Sequence, residues 1–150
     1  MEKIHLTTFI NAPREKVWDV MLSDASYRDW TSAFNPGSYY EGSWEEGSEI
    51  RFLGPDMAGE GAGGLVSRIA EIRPNEFVSI EHLGVIKNGV EDRSPEAMNG
   101  WAGALENYTF TEKDGGTELV IDQDMSAEER PTMEAMWQNG LARIKELSEA

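Results

Sequence analysis

The chain has no cysteine among its 150 residues. Disulfides, thiolate zinc sites and cysteine nucleophiles are therefore excluded, and a reducing compartment is the expected environment. No stretch approaches the roughly 20 apolar residues of a membrane span. The segment from Met1 to Thr8 has neither the basic start nor the apolar core of an export signal. We expect a cytoplasmic protein that does not insert into a membrane.

Basic residues are also scarce, because 13 Lys and Arg stand against 28 Asp and Glu, for a net charge of −15. Such a charge repels nucleic-acid phosphates and anionic lipid surfaces. The acidic residues are dispersed, which favours a role in solubility over an acidic patch for one basic partner. Nucleic-acid binding is not expected, whereas a protein partner stays open.

Histidine occurs only at positions 5 and 82. No His and Glu are spaced to share one helix face as metal ligands, so no metal site is predicted. A serine nucleophile elbow and a glycine-rich loop ending in Gly-Lys-Ser are both missing. We predict no cofactor, and any catalysis would be of the acid–base kind.

The residues that are present indicate a folded protein, since 39% are hydrophobic and five are Trp. The length suits one domain over residues 1–150, with no repeat or linker to divide it. Alternating apolar residues between turn signals predict seven strands. These strands are 4–10, 38–42, 49–53, 65–73, 77–83, 104–112 and 117–125, with longer loops at 54–64 and 84–103.

Helical periodicity appears in two places. Two short helices are predicted after the first strand, one opened by Pro13 and a second that contains Trp30. A long amphipathic helix ends the chain, with a capping box from Ser126 to Glu129 at its start. Its stripe comprises Met133, Met136, Trp137, Gly140, Leu141, Ile144 and Leu147. These elements predict an α+β fold in which a curved antiparallel sheet wraps the last helix.

The run from Gly59 to Gly64 satisfies the dinucleotide-binding pattern of spaced glycines. That chemistry requires a helix immediately after the glycines, whereas residues 65–73 predict a strand. We therefore interpret the run as a flexible loop between strands, able to gate a cavity mouth.

Several short motifs follow one another along the chain. They are Asn11-Ala12-Pro13 with Val17-Trp18 and Trp30, Glu71-Ile72-Arg73-Pro74, Tyr108-Thr109-Phe110 with Gly116-Thr117-Glu118-Leu119, and Trp137 with Leu141, Ile144, Lys145 and Leu147. In this order they resemble the START-like superfamily (SRPBCC, helix-grip, Bet v 1-like), and within it the activator of Hsp90 ATPase homologue group. The resemblance covers about residues 4–147 and implies a helix-grip fold with a cavity between the sheet and the last helix.

The leading hypothesis is that this cavity binds a small apolar or aromatic ligand, a lipid or a metabolite. Thioethers and a large aromatic ring adapt to varied apolar shapes, so Met133, Met136 and Trp137 are favoured as lining. His82 and Tyr108 are predicted polar anchors. The full set of candidate ligand-binding residues is Trp30, Phe52, His82, Trp101, Tyr108, Phe110, Met133, Met136, Trp137, Gly140 and Leu141.

Two other classes of function stay open. A cyclase- or isomerase-like enzyme would use His82 with Glu81 or Glu106, provided that these groups face inward, which alternation alone cannot decide. A co-chaperone-like interaction module would instead have a filled core. Gly140 distinguishes the cavity hypothesis from the filled-core hypothesis. It should border empty space if there is a cavity, and closely packed atoms if the core is filled. We expect empty space there.

Overall fold

Antiparallel strands form one sheet beside a long C-terminal helix in the computed structural model, which describes residues 1–56 and 61–150. Within those residues the sheet has eight strands in the order β1-β8-β7-β5-β4-β3-β2, with β6 paired to β5. The strands are β1 Glu2–Ile10, β2 Tyr39–Gly42, β3 Glu49–Pro55, β4 Ala62–Arg73, β5 Phe77–Lys87, β6 Val90–Asp92, β7 Leu105–Lys113 and β8 Gly116–Met125. This arrangement confirms the predicted α+β helix-grip fold.

The described helices are α1 Arg14–Leu22, α2 Asp24–Trp30, α3 Pro95–Met98 and α4 Arg130–Glu149, with a 3-10 turn at Thr31–Ala33. Trp137, Leu141 and Ile144 of α4 are buried in one hydrophobic cluster with side chains of α1, α2 and the sheet. Of the helices formed by residues 1–56 and 61–150, none combines the length and apolar character of a membrane span.

The predicted capping box at the start of α4 forms only in part. Ser126 Oγ accepts a hydrogen bond from the Glu129 N–H at 3.3 Å, but the intervening residues make a turn. The helix itself begins at Arg130, with Pro131 in its first turn. Proline is tolerated there because the first N–H groups of a helix have no partner within the helix.

The predicted loop 84–103 is wrong, because β5 continues to Lys87 and the chain then forms β6 and α3. Asn88 and Gly89 connect the two strands with φ angles of 50° and 76°. Asn-Gly is the strongest short signal for such a hairpin, since both residues adopt positive φ at low cost. Ser94 then caps α3 by accepting a hydrogen bond from the Ala97 N–H.

The glycine-rich run also differs from the expected loop, because β4 already begins at Ala62. Gly64 pairs with Leu53 of β3, and a Cβ atom at Gly64 would lie 1.8 Å from the Phe52 carbonyl oxygen. Glycine is therefore needed for close strand approach, and no helix follows to bind a dinucleotide. Gly59 and Glu60, on which the gating idea depends, lie outside the described residues.

A β-bulge between β4 and β5 determines which side chains face inward at the centre of the sheet. Ser67 pairs with His82, and Leu65 pairs with Val85, so Leu83 is an extra residue on β5. Such a bulge reverses the alternation of side chains along a strand. His82 and Val85 consequently share the face of Ser67 and Leu65. His82 is directed inward and is 3% exposed.

Candidate functional site

A chamber of about 170 Å³ lies between the sheet and α4. Six of the residues that line it are aromatic: Tyr27, Trp30, Phe34, Phe52, Tyr108 and Trp137. Trp30 stacks on Trp137 with ring centroids 5.7 Å apart, and Phe34 meets Trp137 edge-on at 5.0 Å. The rings thus combine stacked and edge-to-face contacts, the arrangements that aromatic pairs prefer.

The chamber, which is itself partly open to solvent, adjoins two larger spaces that are also partly open. One space, of about 470 Å³, lies between β3, the start of β4 and Asn35. The other, of about 410 Å³, lies beside Trp101 and the start of α4. Leu65 and Met133 line the chamber and both outer spaces. These two side chains therefore lie where the three spaces meet.

The polar end of the chamber is a chain of hydrogen bonds that begins on α4. The Trp137 indole N–H donates to Gln123 Oε1 at 2.7 Å, and Gln123 Nε2 donates to Glu106 Oε1 at 3.1 Å. An indole nitrogen can only donate, so it fixes which end of the Gln123 amide faces Glu106. The amide N–H then requires Glu106 to act as an acceptor.

Glu106 receives two further hydrogen bonds, from His82 Nε2 at 3.2 Å and from the Tyr108 hydroxyl. Ser67 Oγ lies 2.8 Å from His82 Nδ1. A neutral imidazole satisfies both contacts if Nε2 carries the proton and the Ser67 hydroxyl donates to Nδ1. Burial, and then the charge of Glu106, raise the pKa of Tyr108 well above its ordinary value, so that its hydroxyl remains a donor.

The Glu106 carboxylate therefore has three donors among the described residues. A carboxylate has about four acceptor positions, so one remains for a donor from a ligand. The Glu106 side chain is 15% exposed, and it lines the chamber. Unlike a fully enclosed salt bridge, this group can be reached by a bound molecule.

The structure brings together many of the residues that the sequence suggested. Trp30, Phe52, His82, Tyr108, Met133 and Trp137 line the chamber, and Trp101 lines one opening. The ring of Trp101 meets that of His82 edge-on at 6.1 Å. Trp101 thus lies at one end of the cavity.

Four suggested residues line neither the chamber nor its openings as the described residues define them. Phe110 is buried against Trp18, with ring centroids 5.1 Å apart, and Leu141 belongs to the same hydrophobic cluster. Met136 is only partly buried. A Cβ atom at Gly140 would lie 2.9 Å from Phe34 Cε1, so the expectation of empty space there was wrong.

Of the two suggested acidic partners of His82, only Glu106 contacts it. Glu81 adjoins His82 in β5 and consequently lies on the opposite face, where it bonds Arg68 at 2.7 Å. Ser67 and Gln123 were missed, although both are polar residues at inward positions of their strands. Gln123 follows Ile121 by two residues, and Ser67 precedes Ile69 by two. The signal that could have identified them is a polar residue two positions from an inward-facing apolar residue of the same strand.

A helix held against an antiparallel sheet, with a cavity between them, defines a helix-grip protein. The family model described as Activator of Hsp90 ATPase homolog 1-like protein matches residues 11–149. The chain belongs to this family. No protein among the curated sequences compared matches the chain.

Solved structures of low sequence identity share the fold. A protein from Rhizobium leguminosarum is 15% identical with a TM-score of 0.72, over 99% of this chain and 94% of its own. The Aha1 dimer from Colwellia psychrerythraea is 19% identical with a TM-score of 0.70, over 99% and 97%. A protein from Cytophaga hutchinsonii is 21% identical with a TM-score of 0.69, over 97% and 92%. At these identities the likeness shows the fold alone.

Proposed function

We propose that the chain binds a small aromatic molecule that carries a hydrogen-bond donor. The observation that supports this most is Glu106, a largely buried carboxylate at the end of an aromatic chamber, with one acceptor position still available. The rings of the ligand would lie between Trp137 and Phe52, and its donor would bond to Glu106. Binding sites of this class combine apolar walls with a few fixed polar groups.

A fluorescence titration with 2-naphthol tests the proposal, because this probe has two aromatic rings and one hydroxyl donor. We expect saturable binding, and weaker binding of naphthalene, which lacks the hydroxyl. Glu106→Gln should weaken 2-naphthol binding by about tenfold, the effect of roughly 1.4 kcal/mol from a lost charge-assisted hydrogen bond. The matched control is Glu112→Gln on the exposed end of the same strand, which should bind like the wild type.

Closing the entrance provides a second, independent test. Leu65→Trp enlarges a side chain that lines the chamber and both openings, and should abolish 2-naphthol binding. Val90→Trp, at a position 66% exposed, controls for the added indole. Circular dichroism would establish that both variants fold. Undiminished binding by a folded Leu65→Trp variant, or no binding by the wild type, would contradict the proposal.

A second candidate function is acid–base catalysis, and the Ser67–His82–Glu106 chain favours it. Ser67 is 0% exposed and does not line the chamber, so it would orient the imidazole without attacking a substrate. His82 lines the chamber and could exchange a proton there. Exchange of the α-protons of 2-tetralone in D₂O, followed by NMR, tests this. Equal rates with wild type and His82→Gln would remove His82 from catalysis.

A protein-interaction role has less support. The large apolar side chains that the described residues expose are three, Met1, Phe9 and Val90. Isolated apolar side chains are normal on a protein surface and do not by themselves mark an interface.

A further inference from the structure

We infer that the ligand is an aromatic amine or another aromatic cation, and that the cavity rejects aromatic carboxylates. This rests on the proposed binding function. In the described part of the chain, acidic side chains outnumber basic ones in the lining of the chamber and of the opening beside Trp101. The acidic residues are Glu106 in the chamber and Asp124, Glu128 and Glu129 at the opening, whereas the basic residue is His82, with no lysine or arginine among the lining residues.

No lysine or arginine bonds Glu106 among the described residues. Two of its donors, Gln123 and Tyr108, are neutral groups, and the third is the His82 imidazole. A ligand ammonium group would supply a donor for the remaining acceptor position together with a full positive charge. A ligand carboxylate at the same place would offer no proton and would repel Glu106 in a poorly screened site.

The opening adds negative charge that solvent screens only in part. Desolvation raises the pKa of Asp124, but the Leu105 N–H and Lys3 outweigh it and lower the pKa, so this group stays ionised. Lys3 bonds Asp124 at 3.1 Å but does not line the opening. Glu128 and Glu129 are exposed, and Trp101 contributes an aromatic ring. A cation is attracted by the carboxylates and by the face of an indole.

The start of α4 opposes this charge pattern, since a helix N-terminus attracts anions with about half a unit of positive charge. Three of its first four residues have no N–H group left to offer an anion. The Arg130 N–H donates to the Ser126 carbonyl at 3.0 Å, the Met133 N–H donates to the Glu129 carbonyl at 3.0 Å, and Pro131 has no N–H. Two full negative charges, on Glu128 and Glu129, also precede the helix. The opening is therefore net negative despite the helix.

The other opening does not share this character, because Lys87 and Asp56 both line it. The positive charge of the lysine and the negative charge of the aspartate cancel, so this opening has no net formal charge. We therefore assign the selectivity to the chamber and to the opening beside Trp101.

The experiment compares three probes with one ring system and different charge, by isothermal titration calorimetry at pH 7 and low salt. They are 2-naphthylmethylamine, 2-naphthalenemethanol and 2-naphthoic acid. We expect the amine to bind at least about tenfold more tightly than the acid, with the alcohol between them. Added salt should narrow this ratio, because it screens the exposed carboxylates.

Two pairs of substitutions remove the same charge from different places. Glu128→Gln with Glu129→Gln should lower the amine-to-acid ratio by about threefold or more. Glu112→Gln with Glu146→Gln, which alters residues that do not line the chamber or either opening described above, should leave the ratio unchanged. An acid that binds as tightly as the amine would overturn the inference and leave the proposed function intact. Failure of all three probes to bind would overturn the proposed function, and the inference with it.

Discussion

Replacing Gly140 by leucine tests the packing of α4 against the 3-10 turn and α2. The new Cβ atom would lie 2.9 Å from Phe34 Cε1, 3.4 Å from Phe34 Cζ and 3.7 Å from Trp30 Cε3. The first distance is shorter than a carbon–carbon contact allows, so the Phe34 ring must move. That ring is held edge-on against Trp137 at 5.0 Å and Trp30 at 6.1 Å. Its movement would disturb the wall of the chamber.

Two opposing terms set the size of the effect. Removing a glycine from a helix interior stabilises the helix by about 0.5–1 kcal/mol. Overpacking a well-filled site costs about 1–3 kcal/mol, and leucine adds three carbon atoms beyond Cβ. We expect the second term to dominate, with a net loss of about 1–2 kcal/mol in the free energy of unfolding. The smaller Gly140→Ala change should lie near zero, since it gains the same propensity with less crowding.

Urea unfolding followed by far-UV circular dichroism measures this loss as a lower midpoint at unchanged slope. Asn139→Leu is the matched control, because its exposed site on the same helix gains propensity without a buried contact. Phe34→Ala should partly rescue Gly140→Leu, since the leucine would occupy the space left by the ring. An unchanged or raised midpoint for Gly140→Leu would refute the packing argument and restore the empty-space interpretation.

Two further predictions concern polar contacts. Gln123→Leu leaves the Trp137 indole N–H without its acceptor and takes one donor from Glu106. The free energy of unfolding measured in urea titrations should therefore fall by about 1–3 kcal/mol. An unchanged midpoint would contradict the assigned hydrogen bonds. A hydrogen bond from Arg143 lowers the pKa of Asp29 below its ordinary 3.8, so this pair stabilises the fold above that pH and loses its effect as pH falls through the lowered value. Because the pair is exposed, wild type should exceed Arg143→Gln by less than about 1 kcal/mol at pH 7, and thermal unfolding should show this difference shrinking below about pH 4; a difference that grows in acid would contradict the pairing.

The order of the elements could be predicted because each long element carries its own periodic pattern. Alternation in β8 and the three-and-four spacing in α4 depend only on neighbouring residues. The start of β4 could not be predicted in this way, since its glycines have low strand propensity and are required by contact with β3. The β5–β6 hairpin had a local signal at Asn88-Gly89. The prediction of a loop over residues 84–103 rested on alternation of apolar residues and did not use this signal.

The candidate site was predictable only in part, because it depends on register between strands. Ser67, His82, Glu106 and Gln123 come from β4, β5, β7 and β8, which are adjacent in the sheet but far apart in sequence. Periodicity shows that two residues share a face of one strand, but not which residues oppose each other across strands. The bulge at Leu83 adds a reversal that strict alternation cannot show.

The buried polar chain from Ser67 to Trp137 is difficult to explain by stability alone. Apolar residues of similar volume often replace buried charged groups at no loss, or with a gain of about 1–4 kcal/mol. The hydrophobic cluster already joins β1, the central strands, the first two helices and α4 without this help. Glu106 keeps an acceptor position that no described residue fills, and that position lies in an aromatic cavity which opens to solvent. A ligand donor would complete the set of hydrogen bonds, and this network is therefore consistent with the proposed binding function.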